Sequence, residues 1–454
     1  VIDDQRYAAW LQAGDSQRVW LLELEHSAGM ETLAHGIYTQ PGSTVWLDAL
    51  EEIELEDGIN TDRSIQDLTI RNTGRFDSWL GREWLGHPVR LYLGDRQWPR
   101  SDFRLTGSMI NGGIDSAQGG ELRFLLHNPL AALDAPLAEV EGEPVPVLFG
   151  TVFNVTVPVP DNNLGYVVHT GPVTITAVRD KGGAVGYTPG DPVNGFRLQS
   201  MPRGAITFDA VAAGGTPAAL VQLLCAGTAL VPNAASLAAL PDWPLGISAR
   251  SDESRRSVLD QLLAGLGAAA VINALGELEI RSLQPPDAVP VQVLRSSAII
   301  DSAASPGLEI IAVEPPAGRV EIRYGRNYTT QDASGLNTGT DVSQGGISPA
   351  DLQRYGTQWQ HVSDTLSSNP LARVIEVDTP FADKTTAEQL RQETRELCGV
   401  TRYRARLSCM SSAVQLIRAG DTVQITYPRY GLDQGRCVRV LNNQLTTGEL
   451  EVYW

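Results

Sequence analysis

Carboxylates are the most plentiful reactive groups in the chain, and their densest run is Glu51-Glu52-Ile53-Glu54-Leu55-Glu56-Asp57. Two carboxylates held roughly 5–10 Å apart across a cleft are what a glycan hydrolase needs, so the run invites an acid–base reading. A strand, however, sends alternate side chains to opposite faces. Alternation puts Glu52, Glu54 and Glu56 on one side and Ile53 and Leu55 on the other, which predicts an acidic solvent face. The remaining acids lie in no catalytic motif, and HExxH, GxSxG and Cys-His signatures are absent from the sequence.

The four cysteines, Cys225, Cys398, Cys409 and Cys437, are widely spaced, with no CxxC pair and no histidine at zinc-ligand spacing. They read as buried free thiols, since unpaired cysteine is among the most buried residue types. His169 stands alone and reads as a solvent-side or turn-bonded histidine. No catalytic, metal or cofactor-binding residue is assigned, and no cofactor is expected.

The bulk composition sets the frame for these residues. At 454 residues the chain exceeds a single core, and 42% hydrophobic with 19% charged residues is ordinary for a folded protein. A formal net charge of −18 argues against binding nucleic acid through a basic surface. Val1-Ile2-Asp3-Asp4-Gln5-Arg6 lacks the basic segment of a secretory signal, and no run approaches the ~18 apolar residues of a membrane span. The expectation is a protein made in the cytoplasm and soluble until it assembles.

Period-2 patterns dominate both ends. Residues 1–15 hold a short helix with Tyr7, Trp10 and Leu11 on one side. Residues 16–135 form a first β-barrel, beginning with Val19-Trp20-Leu21-Leu22-Glu23-Leu24. Residues 136–204 read as a small β domain with a hairpin turn at Lys181-Gly182-Gly183. Residues 205–285 read as a small α+β domain, with one helix begun by Thr216-Pro217 and another capped by Asp252. Residues 286–454 read as a second β module, whose last strands, Arg402–Leu407, Thr422–Tyr427, Arg436–Leu441 and Glu449–Trp454 with a turn at Asn442-Asn443, must close into a small barrel or a sandwich. The strand Val320–Tyr324 is assigned to that barrel. So are a long polar loop over 327–369 and a helix over 383–398, capped by Asp383 and covering the barrel. The fold class is mainly β with α+β insertions: two similar β-barrel domains flanking smaller β and α+β domains.

Several stretches, in this order, resemble one family. Trp84-Leu85-Gly86-His87-Pro88-Val89-Arg90-Leu91-Tyr92-Leu93-Gly94-Asp95 is similar to the first barrel of bacteriophage tail-tip hub proteins. So, in the same proteins, are Leu148-Phe149-Gly150-Thr151-Val152-Phe153-Asn154-Val155 with Gly171-Pro172-Val173, the stretch from Gly246-Ile247 through Leu259–Leu263 to Gly276-Glu277-Leu278, and Ala419-Gly420-Asp421-Thr422-Val423 with Arg429-Tyr430-Gly431-Leu432. The likeness runs from about Val19 to Trp454.

The resemblance implies a structural virion protein rather than an enzyme, a baseplate or tail-tip hub forming a homotrimer. Three chains with two hub barrels each make a pseudo-six-fold ring. It joins the six-fold tail tube and distal tail protein to the three-fold tip or central tail fibre, near the tape measure protein, and lines a channel that DNA crosses only in transit. An acidic face bearing Glu52, Glu54 and Glu56 could front that lumen, because a polyanion slides past acids and sticks to bases. The iron–sulfur cluster of some tail-tip proteins is not carried over, since these four cysteines lack its spacing. A chain stopping at Trp454 directly after the barrel reads as a stand-alone hub. The competing readings are a tail-associated glycan or peptidoglycan hydrolase and a host-receptor module. The receptor reading would use Tyr355 and Trp359, exposed aromatics of the 327–369 loop, which the hub reading takes as a subunit-contact loop.

Overall fold

Alternating Leu, Val, Ile and Trp with polar partners produce strands through most of the chain, and the protein is mainly β. The computed structural model describes every residue except 1, 14–15, 40–43, 52, 61–63, 66–67, 141–142, 159, 162, 302–305, 333, 335, 337–346, 348 and 367–371. Two compact units are built from interleaved segments. The first comprises Val1–Ala131, Ala269–Glu314 and Thr401–Trp454, and the second Ala132–Ala268 and Pro315–Val400.

In the first unit, seven strands run side by side in the order Leu47–Asp48, Gly29–His35, Arg18–His26, Pro88–Asp95, Arg104–Gln118, Glu121–His127 and Leu68–Arg71. Residues 49–51 then close the sheet on itself. Leu50 N donates to Ala34 O at 3.2 Å, Glu51 N to Thr69 O at 3.1 Å, and Arg71 N to Ala49 O at 2.7 Å, with Leu50 bridged to Ile70. Closure removes the unpaired edges that an open sheet exposes. Leu22, Leu24, Leu33, Leu50, Ile70, Val89, Leu91 and Leu122 fill the interior. Trp84 meets Phe124 edge-on at 5.2 Å and Trp79 at 5.1 Å. The helix Asp4–Gln12 forms as expected: Asp3 caps it by accepting from Arg6 N at 2.7 Å, and Trp10 Nε1 donates to Asp95 at 2.7 Å.

A second sheet in the same unit orders Gln292–Arg295, Thr422–Thr426, Arg436–Gln444, Glu449–Tyr453, Arg402–Ser408 and Leu308–Glu314. It too curls round, because Ile300 N donates to Ser408 O at 2.7 Å and Met410 N to Ala298 O at 2.9 Å. Leu294, Ile299, Ala405, Leu407, Val423, Ile425, Val438, Val440, Leu450 and Val452 form its core.

The two sheets exchange parts. Leu55–Gly58, from the first sheet's stretch of chain, pairs antiparallel with Asn442–Gln444 of the second. In return Leu445, fully buried, packs into the core of the first. Asn442-Asn443, read from sequence as a turn, is strand instead. The ladder with Leu55–Gly58 on one side and with Glu449–Tyr453 on the other holds it extended.

In the second unit a five-stranded antiparallel sheet orders Gly183–Ala184, Val173–Asp180, Ile206–Ala212, Pro146–Thr156 and Gly246–Arg250. Lys181 and Gly182 turn it at φ 52° and 77°, the left-handed pair that a two-residue hairpin requires. The helix Pro217–Cys225 begins with its proline in the first turn. The helix Arg255–Leu266 is capped by Ser254, whose Oγ accepts from Ser257 N at 3.1 Å. Asp252, expected to cap it, pairs instead with Arg250.

The domain boundaries drawn from sequence also shift. Val320–Tyr324 and the helix over 383–398 belong to the second unit and not to the second barrel. Arg319–Tyr324 pairs with Gln360–Thr365 on one side and Val374–Asp378 on the other, which occupies its backbone groups within the segment 315–400. Helix Lys384–Cys398, capped by Asp383, lies on that three-stranded sheet with Ala387 and Leu390 buried. Of the 205–285 stretch, residues up to Ala268 fall in the second unit and the later hairpin strand Leu278–Ser282 in the first. Among the described residues no helix is long and apolar enough to cross a membrane.

Leu445→Ala removes a side chain that one sheet lends to the core of the other. It should cost about 2–5 kcal/mol, read as a lower urea midpoint, with tryptophan emission reporting the Trp79–Trp84 core.

Candidate functional site

The acidic run is shorter as a strand than its pattern suggests, covering only Leu55–Gly58. Glu52 lies outside the described residues. Glu54 is exposed, while Glu56 is half-buried and its Oε1 accepts from Asn442 Nδ2 at 2.5 Å. Ile53 and Leu55 point into the first core. The next residue on that inward side is Asp57, which is fully buried.

Both carboxylate oxygens of Asp57 are satisfied. Its Oδ1 accepts from Arg281 Nη1 at 2.7 Å and its Oδ2 from Ala419 N at 3.1 Å. Arg281, itself only 6% exposed at the side chain, also donates to Gly58 O at 3.0 Å and through Nε to Glu279 at 3.1 Å. Burial works to lower the Arg281 pKa, but the Asp57 and Glu279 carboxylates outweigh it and the net shift is upward. An ion pair this dry returns its desolvation cost only when both partners are hydrogen-bonded, and removing one leaves a buried bare charge. Asp57 is thus fixed structurally: its strand pairs with Asn443 of the second sheet, and its carboxylate holds the loop before Thr422–Thr426 and the hairpin strand Leu278–Ser282.

Asp421 sits close by, where Gly420 at φ 93° turns the chain. Its Oδ2 accepts from Arg418 N at 2.8 Å. Burial raises its pKa, the Asp57 charge adds to the rise, and the hydrogen bond from Arg418 with the Arg418 and Arg281 cations opposes it.

The 327–369 stretch is anchored from within. Asn327, 1% exposed, donates from Nδ2 to Tyr355 O at 2.9 Å and accepts at Oδ1 from Asn154 Nδ2 at 2.9 Å. Tyr355 is 6% exposed and stacks on Phe153 at 5.7 Å, which corrects its expected place among exposed aromatics. Arg354 lies 4.2 Å from the Phe153 ring centre, and Arg179, ion-paired to Asp209, lies 5.7 Å from that of Tyr355. Burial lifts the Tyr355 hydroxyl pKa and depresses that of Arg354. Trp359 is half-buried beside Arg326. The sequence reading missed Phe153, Arg179 and Arg354, which lie far apart in the chain. The available clue was Tyr355 next to Arg354 in an otherwise polar stretch, a pair that tertiary packing could use.

None of the four cysteines forms a disulfide. Cys225 and Cys409 are buried, and burial pushes their thiols up to about 11 and about 12, so both are inert at neutral pH. Cys398 and Cys437 are partly exposed. His169, 8% exposed, does not lie on the solvent side. Its Nδ1 accepts from Leu148 N at 3.1 Å, and burial lowers its pKa.

No family model matches the chain, and no curated protein matches it. Among solved structures it is similar to a chain of the virion of a native gene transfer agent particle, at 15% identity and TM-score 0.46 over 70% of this chain and 85% of that one. It is similar to a tail protein from Neisseria meningitidis, at 12% identity and TM-score 0.44 over 96% of each. A prophage tail protein from Shewanella oneidensis is similar at 10% identity and TM-score 0.43, over 96% of this chain and 98% of that one.

Asp57→Ala leaves the buried Arg281 cation with Glu279 as its remaining carboxylate and the Ala419 N–H without its acceptor, and should cost about 3–5 kcal/mol in urea unfolding. Replacing the pair together, Asp57→Leu with Arg281→Met, should recover most of that loss. Recovery would be absent if Asp57 acted only through Ala419. A raised pKa in the folded state means that Asp421 contributes stability below its unfolded pKa of about 4, and that this contribution fades as pH climbs through the folded value. The stability difference between Asp421→Asn and wild type should therefore move in favour of the variant from about pH 3 to pH 7, measured by urea melts at each pH.

Proposed function

We propose that the chain is a structural subunit of a bacteriophage tail, a hub at the tail tip or baseplate. The observation that carries the reading is two closed sheets in a single unit, welded by an exchanged strand and a buried ion pair. A protomer that presents two barrels held at a fixed mutual position supplies two of the six places of a ring, and three protomers complete it. The ordered motifs that resemble tail hub proteins support the same reading. In this proposal the homotrimer joins the six-fold tube and distal tail protein to a three-fold tip or central fibre, with the tape measure protein inside before ejection.

Function then lies in shape and charge rather than in bond-making. A net charge of −18 suits a passage for DNA, which must leave without binding. Glu54, exposed beside the exchanged strand, is proposed to face the lumen, and Trp359 to lie in a subunit-contact loop. Assembly takes place in the host cytoplasm and the finished location is the virion. Tyr355 is committed to the interior, which takes one of the two aromatics from the receptor-binding reading and from the subunit-contact loop alike.

Sedimentation equilibrium should give a trimer, alone or once the distal tail protein is added. Electron microscopy of that species should give a ring with six lobes around an electronegative lumen. A persistent monomer or dimer under both conditions, or a lumen of net positive potential, would sink the hub reading. Clearing of a peptidoglycan zone by the purified protein would restore the hydrolase.

A further inference from the structure

Most arginines whose partners can be traced meet a carboxylate, and Arg323 in the second unit meets three: Nε donates to Glu321 at 3.2 Å, Nη1 to Asp378 at 3.2 Å, and Nη2 to Glu376. Arg326, three residues on, is different. Among the described residues no acid pairs with it, and its Nε is buried with no hydrogen-bond partner. Its guanidinium lies 4.7 Å from the Tyr328 ring centre and 5.4 Å from that of Trp359.

Both rings flank a cleft of about 370 Å³, also lined by Gln358 and by Asp378, the latter already engaged by Arg323. Tyr328 is immobilised at its far end, since its hydroxyl donates to Gly246 O at 3.0 Å and accepts from Ser248 N at 3.0 Å. The cation therefore lies against aromatic faces, and of those rings only the Tyr328 hydroxyl, already bonded to Gly246 and Ser248, offers its N–H groups an acceptor. A flat guanidinium in that state lacks a planar pair of oxygens, the geometry that a carboxylate supplies in a two-pronged bond.

We propose that the Arg326–Tyr328–Trp359 cleft is a binding site for a side-chain carboxylate. The carboxylate comes from an acidic segment of a second copy of this chain, which carries 53 Asp and Glu against 35 Lys and Arg. The choice of a second copy rests on the homotrimer reading; the carboxylate chemistry stands without it. Gln358 widens the donor set at the rim, and Trp359 becomes a contact residue because it orients the cation that makes the bond.

The probe is fluorescein-labelled hexaglutamate, followed by anisotropy on the full chain at low salt. Saturable binding is expected, weakened tenfold or more by Arg326→Gln and less by Arg326→Lys, which keeps the charge and loses the fork. Trp359→Leu should weaken it as well, and each variant's circular dichroism and melt serve as the folding control. Should Arg326→Gln fail to fold, Arg326→Lys and Trp359→Leu carry the test. Binding unchanged by the folded variants, or no saturable binding by wild type, overturns the site. Equal competition by inorganic phosphate and by acetate at matched concentration overturns the preference for a carboxylate. The source is read separately by sedimentation. Arg326→Gln should shift the wild-type association toward monomer, and unaltered association overturns the second copy as donor. A wild type that never associates defeats the homotrimer while leaving the peptide result intact.

Discussion

A carboxylate with no water around it governs how the first unit is assembled. Asp57 is fully buried, and its two oxygens take hydrogen bonds from Arg281 and from the backbone of Ala419. With Asp57 itself these groups come from three separated parts of the chain, and none can move without leaving a charge or a donor unsatisfied in a dry interior. The strand carrying Asp57 is simultaneously an added strand of the other sheet. The two closed sheets thus share one polar joint and one exchanged hydrophobe, Leu445. Their relative placement is therefore determined by chemistry that tolerates little slack.

The second unit is organised by a different device. A long insertion leaves the second sheet after Glu314, forms its own three-stranded sheet and helix, and returns at Thr401. Its polar stretch is tied down by Asn327, whose amide spans Tyr355 and Asn154, and by rings and guanidiniums packed around Phe153. Asn154 adopts φ 56°, a conformation that asparagine tolerates better than most residues. Cations placed against aromatic faces give this region specificity without additional carboxylates. Arg326 extends that pattern to a surface cleft.

Within the proposed function, these two devices divide the labour. A ring needs protomers whose barrels keep a fixed spacing, and the Asp57 joint provides it. A ring also needs adhesive contacts between chains, and a chain with a large acidic excess has few cations to give. Placing one of them on aromatic faces beside an open cleft concentrates attraction where it can be directional. The remaining acids keep a polyanion from lingering.

Much of the local architecture was legible from residue order alone. The helix after Asp3, the turn at Lys181-Gly182, and the strands over 402–408, 422–426 and 449–453 follow from alternation, capping and glycine placement. Each depends on neighbours within a few residues. Carried two residues past Leu55, the same alternation places Asp57 on the side of Ile53 and Leu55, a position the sequence reading did not assign. What the sequence could not express is which partner each strand finds. The pairing of Leu55–Gly58 with Asn442–Gln444, the strand character of Asn442-Asn443, the transfer of Val320–Tyr324 and the helix after Asp383 to the other unit, and the burial of Tyr355 are all decided by contacts across tens to hundreds of residues. Strand periodicity encodes which face is buried but carries no information on the identity of the neighbouring strand. A buried charge is stable only beside a counter-charge that tertiary folding alone delivers.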